Sequence, residues 1–177
     1  MENFHMAYIP KSKEDFIRKL AAAGSLYASM YALPLQAMIA CACAESGFGT
    51  SKIYLMTGCP FNLQKPAEWK YPECAIMKID TVNKAGEKAK PAPFCVANSL
   101  EDAGRLWCEW ILNWPNMSPR SRLLALRNDP KQFVANLFLV GFAEGKKANT
   151  EKFAKLIDDC KLMEFDTKGV AADTWGL

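Results

Sequence analysis

The chain has 177 residues, half of them hydrophobic and 23% charged, a balance that suits a soluble globular protein able to bury a core unaided. Its 22 basic against 19 acidic residues give a formal net charge of +3, which suits an anionic polymer and is too weak to point to nucleic acid. The longest apolar stretch, Tyr31 to Ala44, is interrupted by Pro34 and Gln36 and is shorter than the roughly 20 apolar residues of a bilayer span, so no membrane insertion is expected.

In chain order, the first 16 residues lack a basic segment followed by an apolar one, so a secretory signal is not expected. Ser12 with Asp15 reads as a capping box opening a helix. Phe16, Ile17, Leu20, Ala23, Tyr27 and Tyr31 then supply an apolar stripe at helical spacing. A second helix begins at Pro34, a good first-turn residue, and ends at Gly47 and Gly49. Few polar residues interrupt it, which predicts a central, buried helix.

From Thr50 to about Ala97 five prolines (60, 66, 72, 91 and 93) argue against helix. Within this stretch Cys74 to Val82 alternates like a short strand, and Lys84-Ala85-Gly86-Glu87 is placed to turn it back as a hairpin. Helical signals resume at Ser99, where Ser99 and Asp102 repeat the capping-box pattern. Leu100, Ala103, Leu106, Trp107, Trp110 and Ile111 form the expected buried face, and Trp107, Trp110 and Trp114 are expected in the core. Ser118-Pro119 and Asp129-Pro130 each read as a cap followed by a first-turn proline. A last helix is expected from Thr150 through Cys160. With no repeat or linker, the fold class is mainly α: one helical domain over residues 1–177, with a small irregular or β-hairpin lobe between its second and third helices.

The seven cysteines, Cys41, Cys43, Cys59, Cys74, Cys95, Cys108 and Cys160, leave at least one thiol free because their number is odd. No Cys-x-x-Cys pair occurs and the only histidine is His5, so neither a zinc site nor another cofactor is expected. Buried thiols acting as small hydrophobes are the default. A disulfide among Cys59, Cys74, Cys95 and Cys108 stays open for an oxidising compartment.

The stretch that carries chemistry is Glu45-Ser46-Gly47-Phe48-Gly49. Its carboxylate closes an almost wholly apolar helix, where burying an unpaired charge costs several kcal/mol. The negative end of the helix dipole and the apolar neighbours both disfavour the ionised form. Each raises the carboxyl's pKa, which is what a general acid working near neutral pH requires. The glycines turn the chain sharply and leave room beside the carboxyl. On this local pattern a second reading is equally open, in which Glu45 caps a neighbouring helix or pairs with an arginine.

The run PLQAMIACACAESGFGTSKI, residues 34–53, resembles the signature of the family 73 glucosaminidases. These are bacterial wall hydrolases with a lysozyme-like fold, and they include flagellar muramidase domains and autolysins. Phe48 stands where that family usually has tryptophan. Phe61 to Lys65 is similar to its Asn-Leu-Phe-Gly segment without the glycine, Phe94 to Leu112 to its next block, and Asp129 to Phe153 to its closing block. The resemblance spans roughly residues 12 to 165 and implies hydrolysis of the β-1,4 glycan strand of peptidoglycan, as an N-acetylglucosaminidase or muramidase, with Glu45 as catalytic acid. By their places in it, Phe48, Tyr54, Asn62, Gln64, Trp69 and Phe142 are expected to bind substrate.

Two departures stand out. Where the family has Tyr-Ala-Thr, this chain has Phe142-Ala143-Glu144, which keeps a ring and loses a hydroxyl. The family's second acid falls at or near Val82, which makes Asp80 the first candidate for a second catalytic carboxylate, ahead of Glu73 and Glu144. A second carboxylate would activate water; otherwise the substrate's own N-acetyl group would assist. A catalytically inactive wall-binding module and a helical interaction domain are the alternatives.

The compact chain without a recognisable signal also resembles effectors that bacteria inject into a rival's periplasm, as the type VI secretion system does. That reading implies synthesis in the cytoplasm, export by a specialised system, and a cognate immunity protein that blocks the cleft around Glu45.

Overall fold

The computed structural model describes residues 7–81 and 90–165. Among them are seven α-helices, a two-stranded antiparallel sheet and three short 3-10 turns. Helix α1, Lys13–Met30, starts where Ser12 accepts from the Asp15 amide at 3.1 Å. The Asp15 carboxylate in return accepts from the Lys11 amide at 2.9 Å and from the Tyr8 hydroxyl. The buried stripe follows Phe16, Ile17, Leu20, Ala21, Gly24 and Ala28, so its lower half runs one position away from the expected Ala23, Tyr27 and Tyr31. The cause is the neighbour: α4, Leu100–Leu112, crosses so closely that a Cβ on Gly104 would lie 3.1 Å from the Gly24 Cα. Only small residues fit at that crossing.

Helix α2, Leu35–Ser46, is the centre of the molecule. Residues 35 and 37–43 are at most 1% exposed, and α1, α6 (Pro130–Ala135) and α7 (Lys147–Asp159) pack around it. Each buried Leu, Ile or Met there stabilises the fold by roughly 1.5–3 kcal/mol. The Ser99 cap on Asp102 and the Asp129 cap before Pro130 form as read from the sequence.

Three boundaries differ. Helix α5, Met117–Leu124, is capped by Asn116, whose side chain accepts from the Ser118 amide at 3.2 Å, so Pro119 sits inside the first turn and not at its start. Proline is tolerated there because first-turn amides need no helical partner. Helix α7 begins three residues before Thr150, whose hydroxyl instead donates to the Ala135 carbonyl at 2.6 Å. A short helix, α3 (Lys52–Thr57), precedes the first of the prolines, with Ser51 as cap and Gly58 closing it in left-handed conformation.

The lobe carries strands β1, Ile76–Ile79, and β2, Ala92–Cys95, paired antiparallel with Ile76 opposite Cys95 and Ile79 opposite Ala92. The strand is shorter than the expected 74–82, and the turn at residues 84–87 lies outside the described residues. On its other edge β2 holds the segment after Asn62: the Lys65 amide donates to the Pro93 carbonyl at 2.9 Å and the Cys95 amide to the Leu63 carbonyl at 2.8 Å. Proline is accommodated in β2 because its carbonyl, and with it the side of the missing N–H, faces this short edge and not the β1 ladder.

All seven thiols are free. Cys41, Cys43, Cys59 and Cys108 are buried, and burial raises their pKa values. Cys74 and Cys95 are hydrogen-bonded to each other: that bond, followed by the nearby Lys65 and Arg105 cations, lowers the half-buried Cys74 thiol to about 7 and pushes its partner up. Cys74 is therefore expected to alkylate at pH 7.5 at least about tenfold faster than the other six thiols, as counted by intact mass and mapped by peptide digestion.

Candidate active site

Glu45 lies in the last turn of α2, and the residues after it explain why the helix stops there. Gly47, Phe48 and Gly49 all take positive φ, at 58°, 59° and 81°. A Cβ at Gly49 would lie 2.9 Å from the Phe16 ring, so both the conformation and the packing require glycine. Ser46 ties the turn from inside. Its buried hydroxyl donates to the Ala42 carbonyl at 2.7 Å and accepts from the Gly49 amide at 2.8 Å, while its carbonyl accepts from the Thr50 and Ser51 amides. The Glu-Ser-Gly-aromatic-Gly pattern is thus a rigid helix stop that presents the residue before it.

Glu45 is a partly exposed residue, and among the described residues no salt bridge reaches its carboxyl. Burial raises its pKa, and a hydrogen bond from Asn62 opposes that rise. The alternative of an arginine partner is not met: Arg105 pairs with Asp102 at 2.7 Å and Glu109 at 2.9 Å instead.

Asn62, itself at φ 50°, donates from Nδ2 to the Glu45 carbonyl at 2.8 Å and to Oε2 of its carboxyl at 3.0 Å. Two residues on, Gln64 is exposed, and its main-chain carbonyl accepts from Trp110 Nε1 at 3.4 Å. Trp110 in turn leads to a ring cluster. Phe142 meets it edge-on at 4.7 Å, Trp114 lies at 4.8 Å, and Trp69 closes on Trp114 edge-on at 5.1 Å. Glu45, Asn62, Gln64, Trp69 and Phe142 are therefore joined in one contiguous chain of contacts.

Within that chain Phe142 is only 4% exposed and supports the tryptophans; it offers no open ring face. Trp114, expected in the core from its spacing with Trp107 and Trp110, is partly exposed beside Trp69. Trp114 lies just past the α4 C-cap at Asn113, so the helical spacing that buries Trp107 and Trp110 no longer governs it. Trp107 is fully buried.

Tyr54, expected at substrate, is a core residue. Its ring is 0% exposed, packs edge-on to Phe16 at 6.0 Å, and its hydroxyl donates to the Tyr8 carbonyl at 2.7 Å. Phe48 is partly exposed, with the Lys13 ammonium 4.8 Å from its ring centre. Asp80 follows β1, is exposed, and has no hydrogen-bond or ionic partner among the described residues. Glu73 is exposed and its backbone carbonyl accepts from Arg105. Val82 and the Glu144 side chain lie outside the described residues, as does His5. Among the described residues no cluster of three or more metal-ligating side chains occurs, and no helix is long and apolar enough to cross a membrane.

No family model and no curated protein matches the chain. Solved structures do share its fold. The catalytic domain of the autolysin Auto from Listeria monocytogenes superposes with a TM-score of 0.66 at 18% identity, covering 91% of each chain. A peptidoglycan hydrolase from Sphingomonas sp. A1 gives 0.66 at 20%, covering 94% of this chain and 99% of that one. The glycoside hydrolase domain of FlgJ from Salmonella typhimurium gives 0.58 at 19%, covering 89% and 95%. The architecture is thus that of the lysozyme-like hydrolase domains.

A carboxyl whose folded-state pKa lies above its unfolded value stabilises the fold fully below the unfolded value, near 4.3, and that contribution is lost as pH rises through the folded one. Glu45→Gln, neutral at every pH, is therefore expected to melt about 3 °C above the wild type at pH 7.5. The difference shrinks toward zero near pH 4, as followed by thermal circular dichroism.

Proposed function

We propose that this protein hydrolyses the β-1,4 glycan strand of peptidoglycan, with Glu45 as the general acid that protonates the leaving glycosidic oxygen. The observation that carries the reading is the state of that carboxyl. It ends a buried helix on a rigid turn, is raised by burial, has no ion-pair partner among the described residues, and belongs to a residue that is partly exposed. A carboxyl in that state is protonated further up the pH scale than an ordinary glutamate and can give its proton to a substrate. Its fold is shared with a peptidoglycan hydrolase, the catalytic domain of an autolysin and a glycoside hydrolase domain, which supports peptidoglycan as the substrate class.

Binding of sugar rings is assigned to the partly exposed Trp69 and Trp114, which meet edge-on, together with the exposed Gln64 side chain, because indole rings and an amide suit the apolar faces and hydroxyls of a sugar. Phe48 flanks the other side of the turn. Asp80 is the proposed second carboxylate: it is exposed and has no partner among the described residues, which suits it to activate water. A separation from Glu45 near 6.5–9.5 Å with substrate bound would invert the anomeric centre, and about 5 Å would retain it.

Purified peptidoglycan incubated with the protein is expected to release fragments with new reducing ends, identified by mass spectrometry, and Glu45→Gln to lower the rate by about 100-fold or more. Activity should fall as pH rises through the raised Glu45 pKa, since the acid must carry its proton. The reducing-end sugar distinguishes glucosaminidase from muramidase. Undiminished release by Glu45→Gln would overturn the assignment, and binding without release would favour an inactive wall-binding module.

The injected-effector reading rests on the sequence and extends this assignment. It expects a small partner protein that co-purifies with the chain, covers Glu45 and abolishes lysis, which pull-down with the products of neighbouring genes checks.

A further inference from the structure

Asn62 was expected at the substrate, but its hydrogen bonds are made within the protein. Its amide nitrogen is shared between two oxygens of one residue, the main-chain carbonyl of Glu45 at 2.8 Å and the carboxyl Oε2 at 3.0 Å. The carbonyl can only accept, so it fixes which way round the amide sits: the NH2 faces Glu45 and Oδ1 faces away. Oδ1 is buried without any partner. An orphaned acceptor costs on folding, so the orientation is not set by what Oδ1 gains; it is set by what Nδ2 does. The reverse orientation would put two acceptors against each other and leave two donors buried.

The backbone supports this arrangement at some expense. Asn62 sits in the left-handed region, between the buried side chains of Phe61 and Leu63, and the following residues are pinned to β2. Asparagine, like aspartate, tolerates that conformation better than the longer glutamine and glutamate.

Building on the proposal that Glu45 is the acid, we infer that Asn62 is a positioning residue for it. Its N–H occupies Oε2, so the proton is carried on Oε1 and delivered from that oxygen. In the neutral acid Oε2 is then the carbonyl oxygen, held at a fixed angle, and the Oε1 hydroxyl is left to turn toward the leaving oxygen. The same bond strengthens when Glu45 ionises, because the carboxylate is the better acceptor. It therefore steadies the product of proton transfer while burial favours the reactant.

Among the described residues no charged group competes for this role. Burial and Asn62 are the two influences on Glu45, with none from charges on α1, α6 or α7 packed against its helix. The titratable group on its own helix that interacts with it is Cys41, one turn earlier, whose buried thiol is kept protonated; Cys59 beside Cys41 is likewise buried.

The test uses Asn62→Gly and Asn62→Asp, both of which accept a positive φ. Carboxyl carbon NMR on glutamate-labelled full-length protein, with Glu45 identified by the signal missing in Glu45→Gln, is expected to show the Glu45 midpoint moving up in both variants, further in Asn62→Asp, where a second carboxylate faces it. On purified peptidoglycan, Asn62→Gly should lower kcat about tenfold with KM changed less than about twofold. The alkaline limb of its pH profile should move upward with the NMR midpoint. A Glu45 midpoint that stays or falls in both variants overturns the inference, and so does a raised KM at unchanged kcat, the mark of a substrate contact. A wild type without activity on peptidoglycan would defeat the proposed function instead, and the NMR titration would still decide the role of Asn62.

Discussion

The constraint on which the rest of the structure depends is the burial of α2 on every side. A helix with almost no exposed face between Leu35 and Cys43 needs partners all round, and α1, α6 and α7 are arranged to supply them. It also fixes where polar chemistry can occur. The first charged side chain along this helix is Glu45, and it comes where the helix runs out of cover. The position of the acid is therefore a consequence of where the core ends.

A second element is needed to make that acid usable. The helix stop built from Ser46, Gly47 and Gly49 holds the carboxyl's own backbone, and the lobe holds its side chain through Asn62. The lobe is in turn anchored by β2 through Leu63 and Lys65, and by Trp110 through the Gln64 carbonyl. Helical core and lobe thus meet at Glu45 and Asn62, and also where Phe61 packs on Trp107 and where Arg105 reaches the Glu73 carbonyl.

Burial and hydrogen bonding pull Glu45 in opposite directions, and burial is the larger influence. A fully sealed carboxyl would hold its proton too firmly to give it up, and a solvated one would lose it below neutral pH. Partial exposure with one neutral donor lies between. The ring cluster of Trp69, Trp110, Trp114 and Phe142 is joined to the same lobe segment through the bond from Trp110 to the Gln64 main-chain carbonyl. The exposed carboxylate at Asp80 belongs to the lobe, so the relation between two acids would be set by lobe geometry and not by the core.

The sequence by itself determined the parts that local physics decides. The capping boxes at Ser12 and Ser99, the cap at Asp129, the buried character of α2 and its stop at Gly47 follow from side chains within four residues of one another, and all are present. Glu45 was legible because a carboxylate ending an apolar helix is anomalous without any knowledge of its neighbours. Tertiary structure alone decided what depends on partners distant in the chain. Tyr54 and Phe142 look like substrate contacts until Phe16 and Trp110 cover them, and Trp114 looks like core until α4 ends short of it. The short α3 was hidden by the prolines that follow it. The pairing of Asn62 with Glu45, 17 residues apart, rests on a left-handed backbone residue and on the β2 edge, neither of which leaves a periodic trace in the sequence. Spacing encodes which face of an element a residue occupies; what lies against that face is settled only when the elements pack.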